Sequence, residues 1–210
     1  MENKFVVAIN RECGTNGSAI AKRLGELLGV KVYDRKLLET LTSRFNLTTE
    51  EIEKVKAKKK PWWEDFCNFY NQFCDMGIRQ SESNKEVTSM KVYQAEAQIL
   101  RDLVQKESCI ILGRSAFHIF RDDPQVAKVF LIANEENRIR RICQKYNVDE
   151  KQASQIINET DEARETFTKT FAGTTRYDSR HYDLVINVGS YQVEQVANFL
   201  ASLVEKRFKK

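Results

Sequence analysis

An apolar, β-branched run at residues 5–9 (FVVAI) opens into a loop of small residues, 10–16. The loop runs into a helix-spaced apolar set, Ile20, Ala21, Leu24, Leu27 and Leu28, which stops at Gly29. Buried parallel strands have the first composition, and a helix with one apolar face has the second. A chain that passes directly from a buried strand into a helix presents the helix's unpaired N–H groups at the end of the strand. Those groups and the helix dipole attract anions. Gly14, Thr15, Asn16 and Gly17 allow the backbone to curl so that its N–H groups converge. Set against the phosphate-loop pattern G-x-x-x-x-G-K-[ST], Arg11 replaces the first Gly, Asn16 the second and Gly17 the Lys. Ser18 keeps the hydroxyl position. A tight strand-to-helix turn without chemistry fits the bare pattern equally well.

The alternation continues along the chain. VKVYD (30–34), SCIILGR (108–114), QVAKVFLIA (125–133) and YDLVINV (182–188) read as further strands. Helical patterns separate them: NEENRIRRICQKY, then one or two helices in DEKQASQIINETDEARETFTKTF, and a terminal SYQVEQVANFLASLVEKRF. Strands alternating with helices imply an α/β fold with a parallel sheet covered on both faces. Residues 48–106 break the alternation with about sixty residues of helical pattern, read as an insertion.

The bulk numbers restrict the class. A chain of 210 residues fits one domain with an insertion. A net charge of +4 suits an anionic ligand but falls well short of a nucleic-acid footprint. The five Cys include no CxxC pair and there are two His, His118 and His181, so no disulfide framework or zinc site is readable. The N-terminal apolar run is too short for a signal peptide or a membrane span, which predicts a cytoplasmic protein with reduced thiols.

AINRECGTNGSAIAKRLGELLGVKVYDRKLL resembles the N-terminus of the cytidylate kinase-like family, whose members open with a strand, Arg-Glu, a Gly/Ser-rich loop and no Walker Lys. CIILGRSA, FLIANEENRIRRI, ETDEARETF and YDLVIN resemble, in order, that family's third strand, fourth strand with its Arg-rich helix, lid helix and closing strand. Residues 48–90 have no counterpart. The resemblance implies a nucleoside-monophosphate-kinase fold: a five-stranded parallel sheet in the order 2-3-1-4-5, a substrate-binding insertion (48–106) and a lid (145–181) within a single domain, 1–210. It implies transfer of the γ-phosphoryl group of ATP, with Mg²⁺, to a small-molecule phosphate acceptor such as a nucleoside monophosphate.

The resemblance also assigns roles. Gly14, Thr15, Asn16, Gly17, Ser18 and Ala19 hold the donor's β-phosphate, and Ser18 ligates Mg²⁺. Asp34 and Arg114 contact the acceptor. Beyond what the resemblance assigns, Arg35, where cytidylate kinases carry small residues, is a further acceptor candidate, Arg141 and Arg164 are candidates to supply charge to the transferred group, and Arg11, folded over the loop, or Lys22, one turn into the helix, is the candidate stand-in for the missing Lys. Arg138 and Arg141, three apart on one helix face, read as a phosphate clamp or a solvated face, and Asp161 and Arg164, at the same spacing, as part of the site or an exposed ion pair. Arg176 and Arg180 are further candidates. Cytidylate kinases follow the acceptor Arg with an Asp that reads cytosine. Ser115 stands there in this chain, which argues against cytosine recognition.

The remaining features point elsewhere or nowhere. The Lys run EKVKAKKK (53–60) reads as a solvated helix end. The aromatic stripe from Trp62 to Phe73 packs the insertion or forms a homodimer interface. Cys13 lies near a helix N-terminus, which would lower a thiol pKa, although a small loop filler explains it as well. Two rival functions remain: a nucleotide-binding sensor without transfer, motivated by Gly17, and a nucleic-acid binder, disfavoured by the charge balance.

Overall fold

The structure is a computed structural model and describes residues 4–34, 93 and 96–208. Arg35, the Lys run, the aromatic stripe and most of the insertion lie outside the described residues.

Five strands form one sheet in the order β2-β3-β1-β4-β5, as the family resemblance implies. They are β1 (Val6–Arg11), β2 (Lys31–Tyr33), β3 (Cys109–Leu112), β4 (Val126–Ile132) and β5 (Leu184–Asn187). Every pairing is parallel, and β1 lies between β3 and β4, with Ile9 opposite Leu112 on one side and Val129 on the other. Each strand lies one to two residues inside its expected range except at the end of β1. There the pairing runs on to Arg11, so the loop starts later than the small-residue pattern suggests.

Side chains alternate across β1, and both faces are buried. Val7 and Ile9 join Ile20 and Leu24 of α1 (Gly17–Leu28), with Val196 and Leu200 of the terminal helix Val193–Phe208. Val6 and Ala8 join Tyr33, Ile111 and the side chains of Leu100 and Val104 from the helix covering 96–106, here α2. This double burial is why β1 reads as an unbroken apolar run.

After β3 comes a short helix, α3 (Ala116–Ile119), and after β4 come α4 (Glu135–Tyr146) and α5 (Glu150–Ala172). The terminal helix is α6. The stretch left as one or two helices is thus a single helix of 23 residues. Asp149 starts it with a capping box: its carboxylate accepts from Gln152 N–H at 2.8 Å, and the Gln152 side chain accepts from Asp149 N–H at 3.3 Å. Asp149→Ala therefore costs about 1 kcal/mol in a denaturant titration.

Cys109 is fully buried in β3, and burial pushes its thiol pKa up to about 12. The unfolded thiol ionises near ~8.5. A group raised on folding contributes stability below its unfolded pKa and loses it as the pH climbs towards the folded one. Stability should fall by up to about 1.4 kcal/mol per pH unit from this one group above pH ~8.5. Melting curves of Cys109→Val against pH should show a shallower alkaline decline.

Candidate functional site

The loop after β1 is fastened through its carbonyl groups. Glu12 N–H donates to the Leu131 carbonyl at 3.0 Å, and the Glu12 carboxylate accepts from Ala133 N–H at 3.1 Å. Thr15 Oγ1 donates to the Glu12 carbonyl at 2.8 Å. Arg138 Nε donates to the Cys13 carbonyl at 2.8 Å, and Arg141 Nη1 to the Gly14 carbonyl at 3.4 Å. Arg141 also reaches the carbonyls of Val188 and Gly189 at 2.9 and 3.1 Å. Both residues were expected as phosphate clamps. Here each bolts the loop to its surroundings. Gly14 and Asn16 adopt left-handed conformations with φ of 83° and 57°. A Cβ on Gly14 would lie 2.9 Å from the Arg138 backbone, so only Gly fits there.

Helix α1 begins at Gly17, and its first backbone bond runs from Ile20 N–H to the Asn16 carbonyl. The N–H groups of Gly17, Ser18 and Ala19 thus precede the helical ladder, as an anion site requires. Ser18 lies exposed at this end. Among the described residues no three His, Cys, Asp or Glu side chains gather around a metal position. Mg²⁺ bound through phosphates and water needs no such cage, and one hydroxyl ligand from Ser18 fits it.

Two cavities flank the loop. A polar cleft of about 440 Å³ lies beside Asn16, lined by Arg140, Arg141, Gln144, Tyr191 and Gln192 among others. A second cavity, of about 50 Å³, lies at the end of β1 and is lined by Arg11, Arg114, Arg164 and Arg176, with Ser115 and Phe167. A single water needs roughly 10–15 Å³, so the smaller cavity admits a group the size of a phosphate.

The arginine side of the loop is organised by Asp161 on α5. Its carboxylate accepts from Cys13 N–H at 2.9 and 3.2 Å and from Arg164 Nη1 at 3.2 Å. It also pairs closely with Arg138, and Arg176 Nη1 lies 3.7 Å away. The sequence spacing left Asp161 and Arg164 open to reading as an exposed ion pair. Asp161 is instead buried.

Arg176 is the largest fully buried side chain of the described protein, at 1% exposure. Its Nη2 donates to the Arg11 carbonyl, while Nε and Nη1 have no hydrogen-bond partner. Its guanidinium carbon sits 5.5 Å from the centre of the Phe130 ring and 5.3 Å from that of Tyr177. Burial, and then the nearby Arg164, hold its pKa below the usual guanidinium value. Buried charges are normally hydrogen-bonded throughout, so this one has capacity for an anion.

Arg114 forms a buried pair with Glu96 of α2. Gly113, Arg114 and Ser115 all have positive φ, at 81°, 60° and 51°. Two consecutive non-glycine residues in this region carry strain of order 1–3 kcal/mol each. The curl turns both side chains towards the cavity, where Ser115 Oγ is buried without a hydrogen-bond partner. Asp34 follows β2 and is exposed. Arg180 is engaged with Asp178 and exposed. His118 and His181 lie outside the cavity lining.

Of the two readings of Cys13, the structure favours the loop filler. Burial raises its thiol pKa, outweighing the lowering from Arg164. Its side chain packs on the small cluster of Ile142, Ala153 and Ile157 that joins α4 to α5. Its burial in that cluster outweighs any lowering of the thiol pKa by the helix end.

Two parts of the site were not readable, Glu96 and the curl after β3. Glu96 lies inside an ordinary amphipathic pattern. Arg176 was named as a candidate, but its burial depends on the packing of Phe130 and Tyr177 around it. The left-handed curl at Arg114 and Ser115 has only Gly113 as a signal.

The sequence profile of the cytidylate kinase-like family matches residues 6–190. The chain belongs to the cytidylate kinase-like family. No curated protein matches the sequence. Among solved structures, an uncharacterized protein from Eubacterium ventriosum ATCC 27560 is 22% identical with a TM-score of 0.67, covering 97% of this chain and 99% of its own. A shikimate kinase from Acinetobacter baumannii in complex with shikimate is 13% identical with a TM-score of 0.51, covering 100% and 97%. A gluconokinase from Sinorhizobium meliloti 1021 is 11% identical with a TM-score of 0.50, covering 100% and 96%. At such identities these structures share the fold. The kinase-like family and the P-loop kinase fold together support phosphoryl transfer as the general class of chemistry. None of the described helices is long and apolar enough to cross a membrane.

Proposed function

We propose that this cytidylate kinase-like protein transfers the γ-phosphoryl group of ATP to a small acceptor that carries an anionic group, a nucleoside monophosphate being the leading candidate. One observation carries the reading. Around the strand-to-helix connection, a small arginine-lined cavity opens at Asn10 and Arg11 before the loop and a large polar cleft opens at Asn16 at its end, which supports a donor and an acceptor held at one phosphoryl group.

ATP supplies the phosphoryl group. On the donor side, Asn16, Arg140 and Gln192 offer polar contacts to a nucleoside, and the N–H groups of Gly17 to Ala19 are free for its phosphates. Ser18 would hold Mg²⁺, which would neutralise charge on those phosphates. On the acceptor side, Arg114, Arg164 and Arg176 bind the anionic group and hold the acceptor oxygen in line. That oxygen bonds to the γ-phosphorus as the bond to the bridging oxygen breaks. The bridging electron pair remains on ADP, and an acceptor proton passes to water. Ser115 in the cavity can donate or accept one hydrogen bond, where a carboxylate would only accept. A cytosine preference is therefore not expected.

Residues 48–106 would cover the acceptor and residues 145–181 would close as a lid. We place the activity in the cytoplasm, where the free Cys13, Cys109 and Cys143 stay reduced. The test is ATP turnover against a panel of nucleoside monophosphates, sugar phosphates and hydroxy-carboxylates. No acceleration with any acceptor, together with tight ATP binding in calorimetry, would overturn transfer. It would favour instead the nucleotide-binding sensor that Gly17 suggested.

A further inference from the structure

We infer that Arg11 is the residue that takes over the work of the absent Walker lysine, and that Gly17 is glycine because the Arg11 side chain occupies the space above it. This inference rests on the phosphoryl-transfer reading and names the group that neutralises the transferred phosphoryl.

The path of Arg11 is defined by two glycines. A Cβ on Gly17 would lie 2.8 Å from Arg11 Cγ, 3.1 Å from its Cβ and 3.5 Å from its Cδ. The aliphatic stem therefore lies flat over the first residue of α1. A Cβ on Gly113 would collide with Nη1 of Arg11 and lie 3.4 Å from its Cζ. The guanidinium thus ends over the turn after β3, in the arginine-lined cavity. A Walker lysine starts from the first helical residue and reaches back over the loop. Arg11 starts at the end of β1 and crosses the same helix end from the other side. The two solutions exclude each other, because any side chain at position 17 enters the volume held by the Arg11 stem.

The backbone at Arg11 is fixed for this purpose. Its N–H donates to the Asn10 side chain at 3.0 Å, and its carbonyl accepts from Arg164 at 3.2 Å and from Arg176. Two arginines of the cavity thus hold the third by its main chain. Lys22, the other candidate, is exposed on α1 and lines neither cavity. A planar guanidinium also suits a transferred phosphoryl group, whose charge is spread over three oxygens and accepts paired N–H donors.

The experiment compares the wild-type protein with Arg11→Gln, Arg11→Lys, Arg11→Gly, Gly17→Ala, Gly17→Lys and the double variant Arg11→Gly/Gly17→Lys. Melting curves first establish that each is folded. ATP and ADP affinities are then measured by calorimetry, and kcat/KM with the best acceptor of the panel. Arg11→Gln should lose 10²–10³-fold in kcat/KM and on the order of 10-fold or more in ATP affinity, with ADP affinity unchanged. Arg11→Lys should recover part of both losses. Gly17→Ala should mimic Arg11→Gln, because it displaces the stem without removing the charge. Gly17→Lys should also lose activity although it restores the Walker pattern. The double variant should be more active than Arg11→Gly alone.

Wild-type affinities and turnover in Arg11→Gln would overturn the inference and leave the kinase reading standing. A gain of activity in Gly17→Lys would overturn it as well. A wild-type protein that binds no nucleotide would remove the kinase reading and this inference together.

Discussion

Replacing Arg176 by methionine is expected to make the empty protein no less stable and the working protein far less active. The guanidinium is at 1% exposure with two nitrogens lacking hydrogen bonds. A buried charge in that condition is held at a cost, partly offset by the Phe130 and Tyr177 rings and by Asp161 at 3.7 Å. Apolar replacement of buried ionic groups is often neutral or stabilising by about 1–4 kcal/mol. A purely structural arginine would behave in the opposite way.

The functional arm uses phosphate as the probe. An anion that binds only the folded state raises stability by RT ln(1 + [L]/Kd), about 2.7 kcal/mol at a hundredfold excess over Kd. The wild-type melting temperature should rise with phosphate, and that of Arg176→Met should not. Turnover should fall by roughly 10²–10³ if the guanidinium contacts the reacting groups. A variant that melts much earlier than wild type, and still gains stability from phosphate, would show that Arg176 belongs to the core and not to the site.

Asp161→Ala is expected to give the largest loss of stability, about 3–5 kcal/mol, the range for removing one partner of a buried charge network. Its carboxylate serves Cys13 N–H, Arg138 and Arg164 directly, and Arg176 at longer range. Arg138 retains Glu12 at 3.5 Å. Arg164 and Arg176 would face each other without that counter-charge, and the loop N–H would lose its acceptor. For a chain of this size the melting temperature should drop by roughly 10 °C. Asp161→Asn keeps an acceptor for Cys13 and removes the charge, so it should fall between wild type and Asp161→Ala. Equal losses in both variants would assign the whole effect to charge.

The fold was legible where the physics is local. The apolar runs of β1, β3 and β4 are continuous because both faces of the sheet are covered. The helix from Gly17 to Leu28 follows from period and from its closing glycine. The strand order is not local information and came through the family resemblance. In the site, residue type was legible and orientation was not. Arg114, read as an acceptor ligand, and Arg11 and Arg164, read as catalytic, line one cavity. Arg138 and Arg141 were read from helix spacing as phosphate ligands. Spacing fixes the face on which they lie, but whether that face meets a ligand or the loop's own carbonyls depends on how α4 seats on the loop. Glu96 and Arg114 are brought together only by folding, and no pattern in either segment announces the pair.

The strand order has a consequence for how such a site diversifies. With β1 in the middle, the chain leaves towards β3 on one side and β4 on the other. The smaller cavity takes its walls from the turn after β3 and from α5 and the turn that follows it. The larger cleft takes its walls from α4 and the turn after β5. The two compartments have no lining residue in common and draw on different segments of the chain. If the small cavity takes the acceptor and the cleft the nucleotide, as proposed, acceptor preference can drift through changes at positions such as Ser115 or Thr168 without disturbing the nucleotide compartment. One partner could then be kept intact while the other is exchanged.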